Sequence, residues 1–139
     1  MNRRVVIFDD DHLVRFALWD LFDRRGYSVF TFPDPGLCPL YVIDHCPCPS
    51  DTRCADLIVS DVHMTDSNGL DFIQVLIQKG CRQPHFALMS GDFSDEDIRR
   101  GAQLGCTLFT KPLDFAKVAE WADSAEKVIP PERRLYDWH

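Results

Sequence analysis

The stretch ADLIVSDVHMTDSNGLDF, residues 55–72, decides the fold and raises the question of function. Its apolar run Leu57–Val59 is short and rich in β-branched residues, as expected of a buried strand. The run is followed almost at once by a carboxylate, Asp61, and then by a loop that contains His63. An acid at such a position can end a strand, bind a metal or act as a nucleophile. The rest of the chain has to decide between these roles.

The composition is that of one globular domain of 139 residues, with 45% apolar and 27% charged residues. The net charge of -7 argues against nucleic acid or an anionic membrane as the main partner, because phosphates would be repelled. No apolar run approaches the roughly 20 residues that span a bilayer. The N-terminus becomes acidic after four apolar residues, which a signal peptide does not. We therefore expect a cytoplasmic protein without membrane insertion or direct contact with nucleic acid.

Five short apolar runs have the character of strands, and helical patterns separate most of them. The runs are residues 4–8, 27–32, 56–60, 85–89 and 106–110. In the first helical pattern, Leu13, Phe16 and Leu18 are among the residues that form an apolar stripe. The proline-rich segment leaves room for one short helix, at Pro39–His45. The alternation of strand and helix predicts a parallel sheet covered by helices on both faces.

Polar side chains follow four of the five predicted strands. They are Asp9 and Asp10 after the first strand, Asp61 after the third, Ser90 after the fourth and Lys111 after the fifth. Because the carboxyl ends of parallel strands meet at one edge of the sheet, we expect these side chains to share a cleft. Adjacent carboxylates repel unless a cation compensates them, and oxygen ligands of this kind suit Mg²⁺. With the metal and Lys111, the cleft could accept a phosphoryl group, for which Asp61 is the candidate nucleophile.

The polar residues of the cleft lie in four motifs, which are FDDD at residues 8–11, SDVHMTDSNGLDF at 60–72, MSG at 89–91 and FTKPLD at 109–114. With these motifs the chain resembles a two-component response-regulator receiver domain, of the single-domain type, over about residues 3–129. The resemblance implies a flavodoxin-like (βα)5 fold, a three-layer sandwich. Its central five-stranded parallel sheet would have the strand order 2-1-3-4-5.

The resemblance also implies a role for each residue of the cleft. Asp61 is then the phosphoacceptor. Asp9, Asp10, Asp61 and the backbone carbonyl of His63 are then the protein contribution to the Mg²⁺ (or Mn²⁺) site. Ser90 and Lys111 would hold the phosphoryl oxygens, and the Lys111–Pro112 peptide would be cis, which is accessible before proline.

The function implied is a signalling switch controlled by phosphorylation. Asp61 would accept a phosphoryl group from the phosphohistidine of a sensor histidine kinase or phosphotransfer protein, and the surface that binds a downstream protein would change. Such a protein is not an enzyme in the usual sense, since it promotes only its own phosphorylation and dephosphorylation. Two alternatives stay open. One is a phosphorylation-independent binding module on the same fold, which could carry a metal- or redox-responsive cysteine insert, and the other is an aspartyl-phosphate phosphatase. A phosphatase would need a second acid where His63 stands.

The sequence departs from the family pattern at several positions. Thr65 stands where a proline is common, and Asn68 replaces a common aspartate. The aromatic switch residue of the family lies three residues before the lysine, where this chain has Leu108 followed by Phe109. Either Phe109 takes the switch role together with Ser90, or Phe109 only packs in the core. The side chain of His63 could influence the lifetime of the acyl phosphate.

A cysteine- and proline-rich insert interrupts the predicted receiver domain, residues 1–129, at about residues 38–54. Its Cys38, Cys46, Cys48 and Cys54 have the spacing C-x7-C-x-C-x5-C. This spacing allows a zinc or other soft-metal site, a redox disulfide, or thiols that pack a short helix. Residues 130–139 form a C-terminal tail that could dock on its own domain or on a partner.

Overall fold

The computed structural model describes residues 2–37, 52–81 and 84–137. Seven strands, four α-helices and a short 3-10 helix at Pro35–Leu37 lie in these ranges. The strands are Arg3–Phe8 (β1), Tyr27–Phe32 (β2), Thr52–Arg53 (β3), Leu57–Asp61 (β4), His85–Ser90 (β5), Thr107–Thr110 (β6) and Arg134–Leu135 (β7). The helices are His12–Arg24 (α1), Gly69–Gln78 (α2), Asp95–Gln103 (α3) and Phe115–Glu126 (α4). None of the helices in the described ranges is long and apolar enough to cross a bilayer.

The central sheet has five parallel strands in the order β2-β1-β4-β5-β6. Counted over these five strands alone, this is the expected order 2-1-3-4-5, and the flavodoxin-like prediction is confirmed. The register pairs Phe8 with Ser60 and Asp61 with Met89, so the strand ends lie level with one another. We call this end of the sheet the carboxyl edge and the opposite end the amino edge.

Side chains of the central strands alternate between two apolar layers. In β1, Val5 and Ile7 pack on the face covered by α1 and α4, whereas Val6 and Phe8 pack on the face covered by α2. The strands are therefore apolar on both faces, as a sheet between two helical layers requires. This double burial holds the strand ends, and with them the polar residues that follow, in place.

Local signals in the sequence account for the helix ends. Asp11, Asn68 and Asp114 cap α1, α2 and α4, and each accepts a hydrogen bond from a backbone N–H of its own helix. The capping box predicted at the start of α3, between Ser94 and Asp97, is present. The short helix predicted at Pro39–His45 lies outside the described residues.

One part of the predicted α1 stripe is wrong. Leu18 and Phe22 form the buried face of α1, whereas Leu13 and Phe16 are 68% and 65% exposed. The helix carries apolar residues around much of its circumference, so periodicity alone could not identify the packed face. The result is an exposed apolar surface on the first turns of α1.

The C-terminal tail packs against the amino edge of the sheet. Its strand β7 pairs in parallel with β3, and Arg133 makes a bidentate ion pair with Asp56, with both N–O distances 2.7 Å. The Tyr136 N–H donates to the carbonyl of Arg53 over 2.8 Å, and Arg4 Nη1 donates to the Tyr136 carbonyl over 2.6 Å. Of the two docking possibilities, the described part of the tail, residues 130–137, lies on its own domain.

Candidate functional site

The carboxyl edge brings together the three acids that the sequence predicted to meet. Asp9 follows β1 and is fully buried, Asp61 ends β4 and is 5% exposed, and Asp10 is exposed at the mouth of the cleft. Carboxylate oxygens of these residues all lie within 4.8 Å of one another. Such a spacing fits a single hard cation with oxygen ligands, and Mg²⁺ is the natural choice because it accepts carboxylates together with water.

Lys111 reaches this cluster from the end of β6. Its Nζ lies 2.8 Å from Asp9 Oδ2 and 3.4 Å from Asp61 Oδ2. The backbone N–H of Lys111 donates to the Ser90 carbonyl over 2.8 Å, and the Lys111–Pro112 peptide is cis, as predicted. Burial tends to lower the pKa of Lys111, but the hydrogen bond and attraction to Asp9 and Asp61 outweigh this effect, and the net shift is upward. The ammonium therefore remains charged between the two buried acids.

Asp61 is the electrostatically strained member of the cluster. Burial raises its pKa from the ordinary value of 3.8 to about 6, and the neighbouring charge of Asp9 acts in the same direction. The ammonium of Lys111 opposes this shift without cancelling it. One lysine does not compensate three carboxylates, so the cluster favours the binding of a divalent cation.

Additional hydrogen bonds, which were not predicted from the sequence, hold the acids in place. The Asp11 N–H donates to Asp9 Oδ1 over 2.9 Å, and the Arg15 guanidinium donates to the Asp9 carbonyl over 2.5 Å. Thr65 Oγ1 donates to Asp10 Oδ2 over 2.9 Å. The only sequence signal for the last contact was that Thr65 stands where the family commonly has proline, which has no hydroxyl group.

The loop after Asp61 depends on a close backbone approach. A Cβ atom at Gly69 would lie 2.1 Å from the Asp61 carbonyl oxygen and 2.8 Å from Ser60 Oγ, so no larger residue fits. The Gly69 N–H donates to the Val62 carbonyl over 2.8 Å, and Asn68 caps α2. His63 is exposed in this loop and forms a backbone bridge with Asn68. The Asn-Gly pair therefore holds the start of α2 against the phosphoacceptor candidate.

A comparison with known families agrees with this geometry. The response regulator receiver domain model matches residues 5–123. The chain belongs to the response regulator receiver domain family. Receiver domains take phosphoryl groups from histidine kinases or phosphotransfer proteins and bind Mg²⁺ in an acidic pocket of this kind.

Relatives of this receiver domain include proteins of different length. Sporulation initiation phosphotransferase F of Bacillus subtilis is 24% identical over 133 residues, which cover 94% of this chain and 96% of the relative. A probable transcriptional regulatory protein of Picosynechococcus is 25% identical over 116 residues, or 83% of this chain, but the chain spans only 45% of that relative. Among solved structures, the receiver domain of HemR from Leptospira biflexa superposes with a TM-score of 0.74 at 19% identity, covering 93% of this chain and 98% of that one.

The two switch candidates of the receiver domain lie on opposite faces of β6. Phe109 is buried against α4, with its ring centroid 5.8 Å from that of Trp121 in an edge contact. Leu108 packs on the other face, against Gly101 of α3. A Cβ atom added at Gly101 would lie 2.9 Å from Leu108 Cδ2. Ser90 is buried at the end of β5, and its Oγ accepts a hydrogen bond from the Asp92 N–H over 3.0 Å. The switch role of these residues stays a prediction.

Only one cysteine of the predicted metal or redox set lies in the described part of the receiver domain. Cys54 is buried, and its Sγ lies 3.5 Å from that of Cys81, a residue outside the predicted set. Cys38, Cys46 and Cys48 fall outside the described residues. Among the described residues, Asp9, Asp10 and Asp61 form the cluster suited to a metal, and nothing there supports zinc.

Proposed function

We propose that this receiver domain is a cytoplasmic signalling switch in which Asp61 accepts a phosphoryl group from a phosphohistidine. The donor would be a sensor histidine kinase or a histidine phosphotransfer protein. The observation that carries the proposal is the buried Asp61 carboxylate, which lies beside Asp9 and within 3.4 Å of the Lys111 ammonium. A carboxylate with a pKa of about 6 is mostly ionised at neutral pH and can act as a nucleophile.

The transfer step follows from these positions. A carboxylate oxygen of Asp61 attacks phosphorus, the new O–P bond forms, and the P–N bond to the donor imidazole breaks. The imidazole leaves with the bonding electron pair and is neutralised by a proton. The Lys111 ammonium can hydrogen-bond a phosphoryl oxygen, since it already lies beside the attacking carboxylate. The Ser90 carbonyl accepts a hydrogen bond from the Lys111 N–H, which places the end of β5 beside Lys111. We therefore assign the Ser90 hydroxyl to a second phosphoryl oxygen.

The acid cluster is suited to hold a metal during this step. Asp9, Asp10, Asp61 and the backbone carbonyl of His63 would be its protein ligands. Mg²⁺, or Mn²⁺ in its place, would supply two positive charges that offset the negative charge of the carboxylates and the incoming phosphoryl oxygens. Asp10 is exposed at the mouth of the cleft, so the donor can approach the metal site from this side.

The exposed apolar surface of α1 supports docking of a protein phosphodonor. Leu13 and Phe16 lie on the first turns of the helix that begins directly after Asp10 and Asp11. The rings of Phe16 and Trp19 stack with centroids 6.0 Å apart, which gives this surface a continuous aromatic part. Exposed apolar side chains beside a reactive group are typical of a surface that a partner covers.

The proposed output is a change in protein binding and not the turnover of an external substrate. Once Asp61 carries a phosphoryl group, the Ser90 hydroxyl would turn from the Asp92 N–H toward it. The Leu108 contact with α3 would then repack and alter the surface formed by α3, β6 and α4. The downstream protein would bind that altered surface.

Labelling with a small radioactive phosphodonor such as phosphoramidate tests the proposal. The wild type should be labelled in the presence of Mg²⁺ and not in excess chelator, whereas Asp61→Asn should not be labelled under either condition. Asp66→Asn is the matched control, since Asp66 is an exposed acid of the same loop that is not part of the acid cluster. Metal-independent labelling, or unchanged labelling of Asp61→Asn, would contradict the proposal.

A further inference from the structure

Two cysteines from distant parts of the chain meet at the amino edge of the sheet. The Sγ atoms of Cys54 and Cys81 are 3.5 Å apart, although 27 positions separate them in the sequence. Both side chains belong to the buried core and are only 4% and 5% exposed. A disulfide has an S–S length of about 2.05 Å, so the sulfur atoms need to approach by about 1.5 Å.

Hydrogen bonds fix the backbone on both sides of this contact. Cys54 directly follows β3, and its carbonyl accepts a hydrogen bond from Arg4 Nη1 over 2.9 Å. Cys81 follows Gly80, which ends the α2 region with a positive φ of 97°, and the Cys81 N–H donates to the Leu76 carbonyl over 2.9 Å. The two thiols are therefore held together by the fold.

We propose that Cys54 and Cys81 form a peroxide-sensitive thiol pair that becomes a disulfide. One thiolate attacks hydrogen peroxide, so that an S–O bond forms, the O–O bond breaks, and the departing hydroxide takes a proton to give water. The second sulfur then attacks the sulfenic acid, the S–S bond forms, and the hydroxyl group leaves as a second water with the thiol proton. Two electrons pass from the sulfur atoms to the peroxide oxygens. An excess of dithiol reduces the disulfide back to two thiols and is itself oxidised to a disulfide.

The cysteine pair lies at the two ends of the segment that contains Asp61. Residues 54–81 contain β4, the loop after Asp61 and α2. A Cys54–Cys81 disulfide would join the two ends of this unit covalently. It would also link α2 to the segment around β3, whose strand pairs with the C-terminal tail. Closing a loop of this length restricts the unfolded chain, so the oxidised protein should unfold at a higher temperature.

The low exposure of the pair limits the oxidants that can reach it. A small peroxide fits this limit better than a bulky disulfide such as oxidised glutathione. Cys106 is the matched control within the described residues, because its thiol is free and no cysteine contact is found for it there.

Peptide mapping after treatment with hydrogen peroxide and alkylation tests the proposal. Trypsin releases Cys54 in the peptide 54–79 and Cys81 in the peptide 80–82. The expected product is these two peptides joined, with a mass about 2 Da below their sum because two hydrogens are lost. Dithiothreitol should separate them, and Cys106→Ala should give the same product.

Variants separate this pair from the other cysteines. In one variant Cys38, Cys46, Cys48 and Cys106 are all replaced by alanine, and it should still form the linked peptides and unfold at a higher temperature once oxidised. Cys54→Ala and Cys81→Ala in the otherwise natural chain should each abolish the linked peptides, which keeps the test decisive if the multiple variant does not fold. Disulfides that involve Cys38, Cys46 or Cys48 while Cys54 and Cys81 stay reduced would overturn the proposal, as would the absence of any disulfide.

Discussion

Strand β4 has a buried aspartate at each end, and the two carboxylates have opposite surroundings. Asp56, just before the strand, is fully buried and receives two 2.7 Å hydrogen bonds from the Arg133 guanidinium and one 3.0 Å bond from the Arg4 N–H. Asp61, at the far end, shares the single ammonium of Lys111 with Asp9. One acid is fully paired, whereas the other is surrounded by excess negative charge.

The contrast separates a structural carboxylate from a reactive one. At Asp56 the donors leave little capacity for a ligand, and the ion pair joins β1, β4 and the C-terminal tail. At Asp61 the excess negative charge is neutralised only when a cation or a proton binds. A shifted pKa from such surroundings is typical of reactive acids. The same residue type therefore has opposite roles at the two ends of β4: Asp56 pairs elements of the fold at the amino edge, whereas Asp61 adds uncompensated charge at the carboxyl edge.

The largest effect on stability is expected at the amino edge. Asp56→Asn should lower the free energy of unfolding by about 3–5 kcal/mol, because Arg133 would remain buried without its charged partner. Chemical denaturation measures this loss. Asp71→Asn is the control, since its ion pair with Arg100 is largely exposed and should cost less than about 1 kcal/mol. Equal losses in the two variants would contradict the structural role of Asp56.

The opposite sign is expected at the carboxyl edge. In excess chelator at pH 7, Asp61→Asn should raise the free energy of unfolding by about 1–2 kcal/mol, because the substitution removes a buried charge whose pKa is raised. The gain is smaller than the full pKa shift would give, because the buried amide that replaces the carboxylate also needs hydrogen-bond partners. A less stable Asp61→Asn protein under these conditions would show that the cluster is not electrostatically strained.

The contribution of Asp61 to the stability of the fold should also depend on pH. The pKa of Asp61 is about 6 in the folded chain against an ordinary 3.8, so the folded state binds more protons between these values. Without metal, its contribution to stability should therefore fall as the pH rises from about 4 to about 6, and stay constant above that. The difference in unfolding free energy between wild type and Asp61→Asn, measured across this range, isolates Asp61 from other acids. A difference that does not change with pH would exclude the raised pKa.

The most local effect is expected at the edge of the cluster. Thr65→Val should weaken Mg²⁺ binding about tenfold in isothermal calorimetry, because Thr65 Oγ1 holds one oxygen of Asp10 and thereby orients the other. Thr65→Ser keeps the hydroxyl and should bind Mg²⁺ nearly as well as the wild type. If the valine and serine variants bind equally, the hydrogen bond has no role in positioning Asp10.

The carboxyl edge could be predicted from the sequence, because each of its polar residues directly follows an apolar run. The amino edge could not. Arg133 and Asp56 are 77 positions apart, and Cys54 and Cys81 are 27 apart, and no local pattern links the members of either pair. The exposed Phe16 was predicted to be part of the packed stripe because periodicity identifies apolar faces without showing which of them the sheet covers.

We propose that Asp61, and not the fully paired Asp56, receives the phosphoryl group. Borohydride reduction after treatment with a small phosphodonor and Mg²⁺ converts a phosphorylated aspartate to homoserine, which mass spectrometry can locate. Both acids lie in the tryptic peptide 54–79, so one fragment spectrum compares them directly. We predict homoserine at position 61 alone. Homoserine at position 56, or an unmodified peptide from labelled protein, would contradict the account.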